Sequence, residues 1–419
     1  ENIAEVHLAL YLFNNKDLYT VLKRLAERSN VTVISLPLAG YDSRKVMTAR
    51  AIYADIAKGG TKNFNLLIYP HMYVWYGAEY AEGAASYSFH VKAGYVTYKD
   101  GSCKLILTSC NMAPGDPYHS EIAIIIEDDS CCTPYSEAFR MFFNEVEKRS
   151  YPWSQYQTKT ADLPADLQRA FDFVFIGKHR LTDWTDNFVD HAFFTGPFIK
   201  IKGMGSTHYA RKKIVEIIKN AERRVLVCAQ HVHDLAPFNG YSGSTLISAI
   251  IEKKRENPNI DVKVLKQVSS SGLADKRRAA FVECHLNYAG VEQRVNKLVH
   301  DKFIIADDTV IITTSNFTAT QFGWGERRME YTVKKKYNQV NQVVNSALSF
   351  FNHPVHLVSV RPVRSRRTTE PKTKIVKEDV FAEINGFVII EEQSLADKLA
   401  DHFNKLWNHR LSEAIKIPR

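Results

Sequence analysis

The stretch Leu298-Val299-His300-Asp301-Lys302-Phe303-Ile304-Ile305-Ala306-Asp307-Asp308-Thr309-Val310-Ile311-Ile312-Thr313-Thr314-Ser315-Asn316-Phe317 carries the pattern from which the fold is read. Apolar runs at Phe303 to Ile305 and Val310 to Ile312 flank the turn residues Asp307 and Asp308, which predicts a β-hairpin. Residues i and i+2 of an extended strand share a face, so His300 and Lys302 project into one site. The returning strand brings Thr314 and Asn316 back towards them. His, Lys and Asp stand at an HxK(x)4D spacing, which arises by chance in roughly a few per cent of chains of this length.

The first half holds a related order of residues. Phe89-His90-Val91-Lys92 opens a strand, a hairpin follows, and the apolar strand ends in Thr108-Ser109-Cys110-Asn111. Both copies therefore run from HxK through a hairpin to Thr-[Ser/Thr]-x-Asn. In each, an acid that follows the Asn stands before another β-rich run: Glu121 in one copy and Glu330 in the other. A repeat of the whole order, and not of one motif, reads as an internal duplication.

Around these motifs the pattern alternates between strand and helix. Strands are predicted at His7 to Phe13, Val31 to Leu36 and Asn65 to Tyr69, with helices at Lys16 to Arg28 and Ser43 to Lys58. The rhythm restarts with a helix at Tyr209 to Glu222, a strand at Arg224 to Gln230 and a helix at Ser244 to Arg255. A strand at Asp261 to Val268 and a helix at Lys276 to Tyr288 follow. The tail adds a strand at Val380 to Ile390 and a helix at Ser394 to Trp407 whose Ser-x-x-Asp start is similar to a capping box. This rhythm predicts an α/β protein of two lobes, residues 1–150 and 207–419, joined by an aromatic connector at 151–206.

The paired HxK, Asn and Glu resemble the active-site halves of the phospholipase D superfamily, which includes phospholipases, bacterial endonucleases and tyrosyl-DNA phosphodiesterases. The resemblance implies two α-β-α lobes related by a pseudo-twofold, each a mixed, mainly parallel sheet flanked by helices. It also implies cleavage of a phosphodiester through a phosphohistidine, with His90 as nucleophile and His300 as acid and base. Lys92, Lys302, Asn111 and Asn316 would neutralise the non-bridging oxygens, and Glu121 and Glu330 would orient the rings. Ser109 and Thr314 would assist as substrate-side donors, with Asp307 behind His300 and Lys302. The residues alone do not order the two histidines. Two departures stand out: Thr97 occupies the place of the first Asp, and Thr108 and Thr313 replace the usual Gly before the hydroxyl residue. Loss of the first Asp is shared with tyrosyl-DNA phosphodiesterases, but the retained Asp307 is unlike them.

The balance of 55 Lys and Arg against 46 Asp and Glu gives a net charge of +9, which favours an anionic partner, nucleic acid (DNA or RNA) or an acidic lipid surface. Arg364, Arg366 and Arg367, within a basic turn-rich stretch, are candidate phosphate contacts or else a solvated loop. Lys276, Arg277 and Arg278 read as a solvated helix face. Tyr69, Tyr73, Trp75, Tyr76 and Tyr80 are candidates for base stacking or for core, and His231 and His233 for ligand contact or for structure. The six cysteines lack paired zinc spacing, and no carboxylate cluster suited to magnesium accompanies the motifs, so no metal or cofactor is expected. No apolar run spans a bilayer and Glu1 to His7 do not read as a signal peptide, so an intracellular setting, cytoplasmic or nuclear, is expected. The leading expectation is a metal-independent nuclease. The alternatives are a phospholipase or transphosphatidylase and a DNA-binding protein with a degenerate site, as a homo-oligomer or part of a larger multidomain protein.

Overall fold

The computed structural model describes residues 2–36, 44–59, 61–69, 71–75, 81–82, 89–114, 118–160, 171–175, 182–196, 199–233, 246–267, 273–318, 326–333, 372–379 and 383–415. The first large sheet is built from β1 (Ile3–Leu10), β2 (Asn30–Ser35), β3 (Phe64–Ile68), β4 (Ala93–Tyr98), β5 (Cys103–Thr108), β6 (Ala123–Asp128) and β7 (Tyr151–Pro152). Their spatial order is β6-β5-β4-β1-β2-β3-β7. The second contains β8 (Ala192–Phe194), β9 (Arg224–Ala229), β10 (Asp261–Lys266), β11 (Glu292–Asn296), β12 (Lys302–Ala306), β13 (Thr309–Thr313), β14 (Gly386–Glu391) and β15 (Ser412–Ala414). Here the order is β8-β14-β13-β12-β9-β10-β11-β15.

One topology is used twice. In the first half β1, β2 and β3 are parallel, and β4, β5 and β6 extend the sheet antiparallel from β1. In the second, β9, β10 and β11 are parallel and β12, β13 and β14 extend antiparallel from β9. Parallel pairing is thus confined to three strands of each sheet, and the expected parallel majority is not found. The reason lies in the motifs, since each HxK segment opens a hairpin and a hairpin can only pair antiparallel.

The parallel strands are rich in β-branched residues because both faces are covered; all but the first residue of β2, Asn-Val-Thr-Val-Ile-Ser, are buried. Helices α1 (Lys16–Leu25) and α2 (Arg44–Ala57) serve the first sheet, α1 being capped by Asn15 Oδ1, which accepts from Asp17 and Leu18 amides at 3.0 and 3.2 Å. Helix α3 (Pro134–Glu147) opens with Thr133 as cap and proline in the first turn. Helices α4 (Ser206–Asn220), α5 (Leu246–Glu256), α6 (Leu273–Tyr288) and α7 (Gln393–Trp407) accompany the second sheet. The expected cap of α7 is displaced by two residues: Glu392 is the cap, and Ser394 lies inside the first turn with its hydroxyl on the Glu392 carboxylate.

The largest apolar cluster runs between the halves, taking Leu105 and Leu107 from β5, Phe139 and Phe142 from α3, and Val227, Ile304 and Ile311 from the second sheet. The segment expected as a connector gives its first residues to one sheet edge as β7 and β8 to the edge of the other. Among the described residues no helix is long and apolar enough to cross a membrane. All six cysteines are free thiols.

Candidate active site

Two isolated backbone bridges bring the HxK segments together across the halves. Phe89 pairs with Ile384 and Val299 pairs with Ser120. The second bridge is closed by Ser120 N–H to Leu298 O at 2.7 Å and His300 N–H to Ser120 O at 3.0 Å. Each histidine therefore follows a residue stitched to the opposite half. Strand alternation then separates the side chains. Lys302 returns its ammonium to His300 O at 2.7 Å, while Asp301, between them, points the other way to His402 Nε2 at 3.2 Å. Lys92 repeats the arrangement on His90 O at 2.7 Å. Both lysines are fully buried.

The strands that follow the hairpins are in matched register. Thr108 and Thr313 donate through Oγ1 to Ile122 O and Gly386 O, each at 2.8 Å, and the amides of Ser109 and Thr314 donate to the same two carbonyls. This register makes Glu121 and Asn385 counterparts, each one residue earlier. Glu121 Oε1 lies 2.6 Å from Nδ1 of His300, across the lobe boundary. Asn385 Oδ1 lies 3.1 Å from Nδ1 of His90, again across the boundary. Ser109 Oγ accepts from the Ile122 amide and donates to Glu121 Oε2 at 2.5 Å. Thr314 Oγ1 accepts from the Gly386 amide and donates to Asn385 Oδ1 at 2.9 Å. The expected donors Ser109 and Thr314 thus hold the orienting groups.

Glu383, which the sequence reading did not select, faces His90 at 3.7 Å from Nδ1. The backbone of Glu330 lies in a separate strand, Glu326–Val333, paired with Lys372–Asp379, and its side chain lies outside the described residues. No signal at a fixed spacing pointed to Glu383, because a long insertion separates Asn316 from β14. One expectation, Asp307, is corrected. It sits past the far end of β12 with φ of 53°, and its carboxylate accepts the amides of Glu222, Arg223 and Arg224 at 2.7, 2.8 and 3.0 Å. It fastens the hairpin turn to the end of α4, away from the histidines.

Asn316 is buried and its Oδ1 accepts the His231 amide at 3.3 Å, while Phe317 N–H returns to His231 O at 2.9 Å. His231 thus precedes, and His233 ends, a short segment, Val232–His233, paired with Phe317–Thr318. Asn111 is half-buried just beyond β5. Tyr69 is core, stacked on Phe89 with centroids 5.0 Å apart. Arg364, Arg366 and Arg367 lie outside the described residues, as do the side chains of Tyr73, Trp75, Tyr76, Tyr80, Lys276, Arg277 and Arg278. Two side chains were not anticipated. Tyr11 stands edge-on to His90 with centroids 5.6 Å apart, and His119 lies 5.9 Å from His300.

Electrostatically the halves form one centre. Burial, together with the positive charges of Lys92 and Lys302, holds the His90 imidazole well below its ordinary pKa, the Asn385 contact opposing only in part. Glu121 of the first half meets His300, and Asn385 and Glu383 of the second meet His90, so the two HxK segments lie at one interface between the halves. Among the described residues no group of His, Cys, Asp and Glu has the geometry to hold a metal ion.

Residues 214–350 match a family described as cardiolipin synthase, PLD-like domain. No curated protein matches the chain. Among solved structures, phosphatidylserine synthase of Haemophilus influenzae Rd KW20 is similar at a TM-score of 0.50 and 10% identity, over 99% of this chain and 83% of that one. Yeast tyrosyl-DNA phosphodiesterase aligns at a TM-score of 0.41 and 12% identity, over 77% of this chain and 80% of that one. A polyphosphate kinase of Porphyromonas gingivalis aligns at 0.48 and 8% identity, over 97% of this chain, which spans 46% of the kinase. At these identities the likeness is one of fold.

Proposed function

We propose that this chain, which belongs to the phospholipase D superfamily, is a metal-independent phosphodiesterase acting on nucleic acid, with His90 as nucleophile and His300 as general acid and base. The observation that carries the reading is the pair of crossed contacts, Glu121 to His300 and Asn385 to His90.

The nearest partners differ in charge, the amide of Asn385 at 3.1 Å from His90 with Glu383 farther off at 3.7 Å, against the Glu121 carboxylate at 2.6 Å from His300, and this supports the order of the histidines. Asn385 Nδ2 donates to the Glu383 carbonyl at 3.2 Å, and a carbonyl can only accept, so the atom that faces Thr314 Oγ1 and His90 is the amide oxygen. An oxygen facing Nδ1 of His90 accepts a proton held there, leaving the lone pair on Nε2. A depressed pKa keeps this ring neutral, as a nucleophile requires. A carboxylate at 2.6 Å instead favours a positive charge on His300, as a proton donor requires.

In the first step Nε2 of His90 forms a bond to phosphorus, the bond to the leaving oxygen breaks, and that oxygen keeps the electron pair and takes the proton of His300. In the second, neutral His300 accepts a proton from water, the water oxygen bonds to phosphorus, and the N–P bond breaks. Lys92 and Lys302, with Asn111 and Asn316, counter the charge on the non-bridging oxygens. The net charge of +9 supports a polyanionic substrate. The lipid-processing description of the matched family favours one further reading, phosphatidyl transfer, in which an alcohol replaces water in the second step.

The deciding experiment is cleavage of labelled single-stranded and duplex DNA and RNA in excess EDTA, beside release of headgroup from anionic phospholipid vesicles, for the native chain, His90→Ala and His300→Ala. Nucleic-acid cutting that survives EDTA and is lost in both variants supports the proposal. Headgroup release without cutting replaces it with the lipid reading. Neither activity, with salt-sensitive DNA binding retained, leaves a binding protein.

A further inference from the structure

Tyr11 is the residue immediately after β1, and 37% of its surface is exposed although its ring stands beside the half-buried His90 and the buried Lys92. Its centroid is 5.6 Å from that of His90, edge to face, and Lys92 Nζ lies 5.5 Å from the same ring. The repeated topology identifies its counterpart. Ala9 pairs with Ala93 in the first sheet, so Leu10 stands opposite Lys92, as Ala229 stands opposite Lys302 in the second. The counterpart of Tyr11 is then Gln230, whose amide is turned to Gln267 Oε1 at 3.0 Å. The two halves thus present different surfaces to a substrate, an exposed aromatic ring on the His90 side and an amide pair on the His300 side.

In an in-line displacement the nucleophile and the leaving oxygen occupy opposite faces of phosphorus. A group close to His90 and away from His300 belongs to the part of the substrate retained on phosphorus. We infer that Tyr11 forms a stacking subsite for a flat group, a nucleobase, on the retained side of the scissile phosphodiester. Every base has an apolar face, so stacking gives affinity without reading sequence. The cation at 5.5 Å on the ring lets one side chain meet both the base and the charged backbone environment. This rests on His90 as the nucleophile, as argued above.

The test compares two diesters with one leaving group, thymidine 3′-(4-nitrophenyl phosphate) and methyl 4-nitrophenyl phosphate, and reads the ratio of their kcat/KM values. The ratio favours thymidine in the native chain, falls about tenfold in Tyr11→Leu, and is kept in Tyr11→Phe, which retains the ring. A ratio unchanged by Tyr11→Leu overturns the inference and reduces Tyr11 to packing around His90. So does a native chain that does not prefer the thymidine ester. If the native chain hydrolyses neither ester, the phosphodiesterase reading has failed, and the subsite is judged by fluorescence anisotropy of a fluorescein-labelled oligothymidylate. Binding about tenfold weaker in Tyr11→Leu retains the subsite, and equal binding removes it.

Discussion

The half-site around His300 and the half-site around His90 share a scaffold down to single hydrogen bonds, yet one is finished with a carboxylate and the other with an amide. A threonine, a hydroxyl residue and a lysine occupy matched positions with matched partners. At the position that meets the ring stand Glu121 and Asn385. The contrast teaches that position and role are set separately. The duplicated strands bring each imidazole to a group of the opposite half, and that group is a carboxylate for His300 and an amide for His90. A second contrast lies one residue on, where Ile122 is matched by Gly386. A Cβ on Gly386 would meet Leu107 Cδ1 at 2.6 Å and Phe194 Cε1 at 2.7 Å, so the glycine marks where the two halves press together.

The largest effect that can break the comparison is removal of either ring. His90→Ala and His300→Ala should each lower hydrolysis of unactivated diesters by about 10⁴-fold or more, measured as EDTA-resistant cleavage. The two should part on 4-nitrophenyl esters, whose leaving group needs no proton. His300→Ala then accumulates phosphohistidine, detectable by acid-labile label in the protein, and His90→Ala accumulates none. Label in His90→Ala would reverse the roles.

Exchange of the orienting groups comes next. Glu121→Gln should reduce kcat by about 10- to 100-fold. Asn385→Asp places a charge on Nδ1 of His90, and its effect depends on pH. His90 now lies below its ordinary value of 6.5, so it stays neutral on the acid side of that value and the acid limb of kcat/KM should fall there. An added carboxylate raises this pKa, so the limb moves upward by about one to three pH units and activity is lost first at low pH. An unmoved limb in Asn385→Asp would show that another group titrates.

Smaller effects fall on stability. Asp307→Ala strands the amides of Glu222, Arg223 and Arg224 and should cost about 1–3 kcal/mol in denaturant unfolding, with the shape of the pH profile kept. A profile altered in shape would return Asp307 to the site. Gly386→Ala should cost about 1–3 kcal/mol by overpacking, read the same way.

Much of the scaffold was legible because it depends on local pattern. The hairpin after His300, the buried parallel strands and the helices at Lys16 and Arg44 follow from periodicity and turn residues, and their boundaries shift by only a few residues. Glu121 was legible because only a short loop separates it from Asn111. Its counterpart was not, because residues 317–384 intervene and the acid chosen from the sequence, Glu330, lies in a strand of a different sheet. The Asp of HxK(x)4D was visible as a motif, but its spacing is that of a strand's far end, where it serves a turn.

By itself the sequence determined the two HxK hairpins, their repeat, and the facing of His with Lys two residues on, since these follow from a period of two along one strand. The tertiary structure alone decided which side chain meets which ring. His90 and Asn385 are 295 residues apart and meet because the bridge from Phe89 to Ile384 joins two separately specified sheets. No local period encodes that contact. It arises from how two apolar faces pack, and with it come the different nearest partners of the two rings.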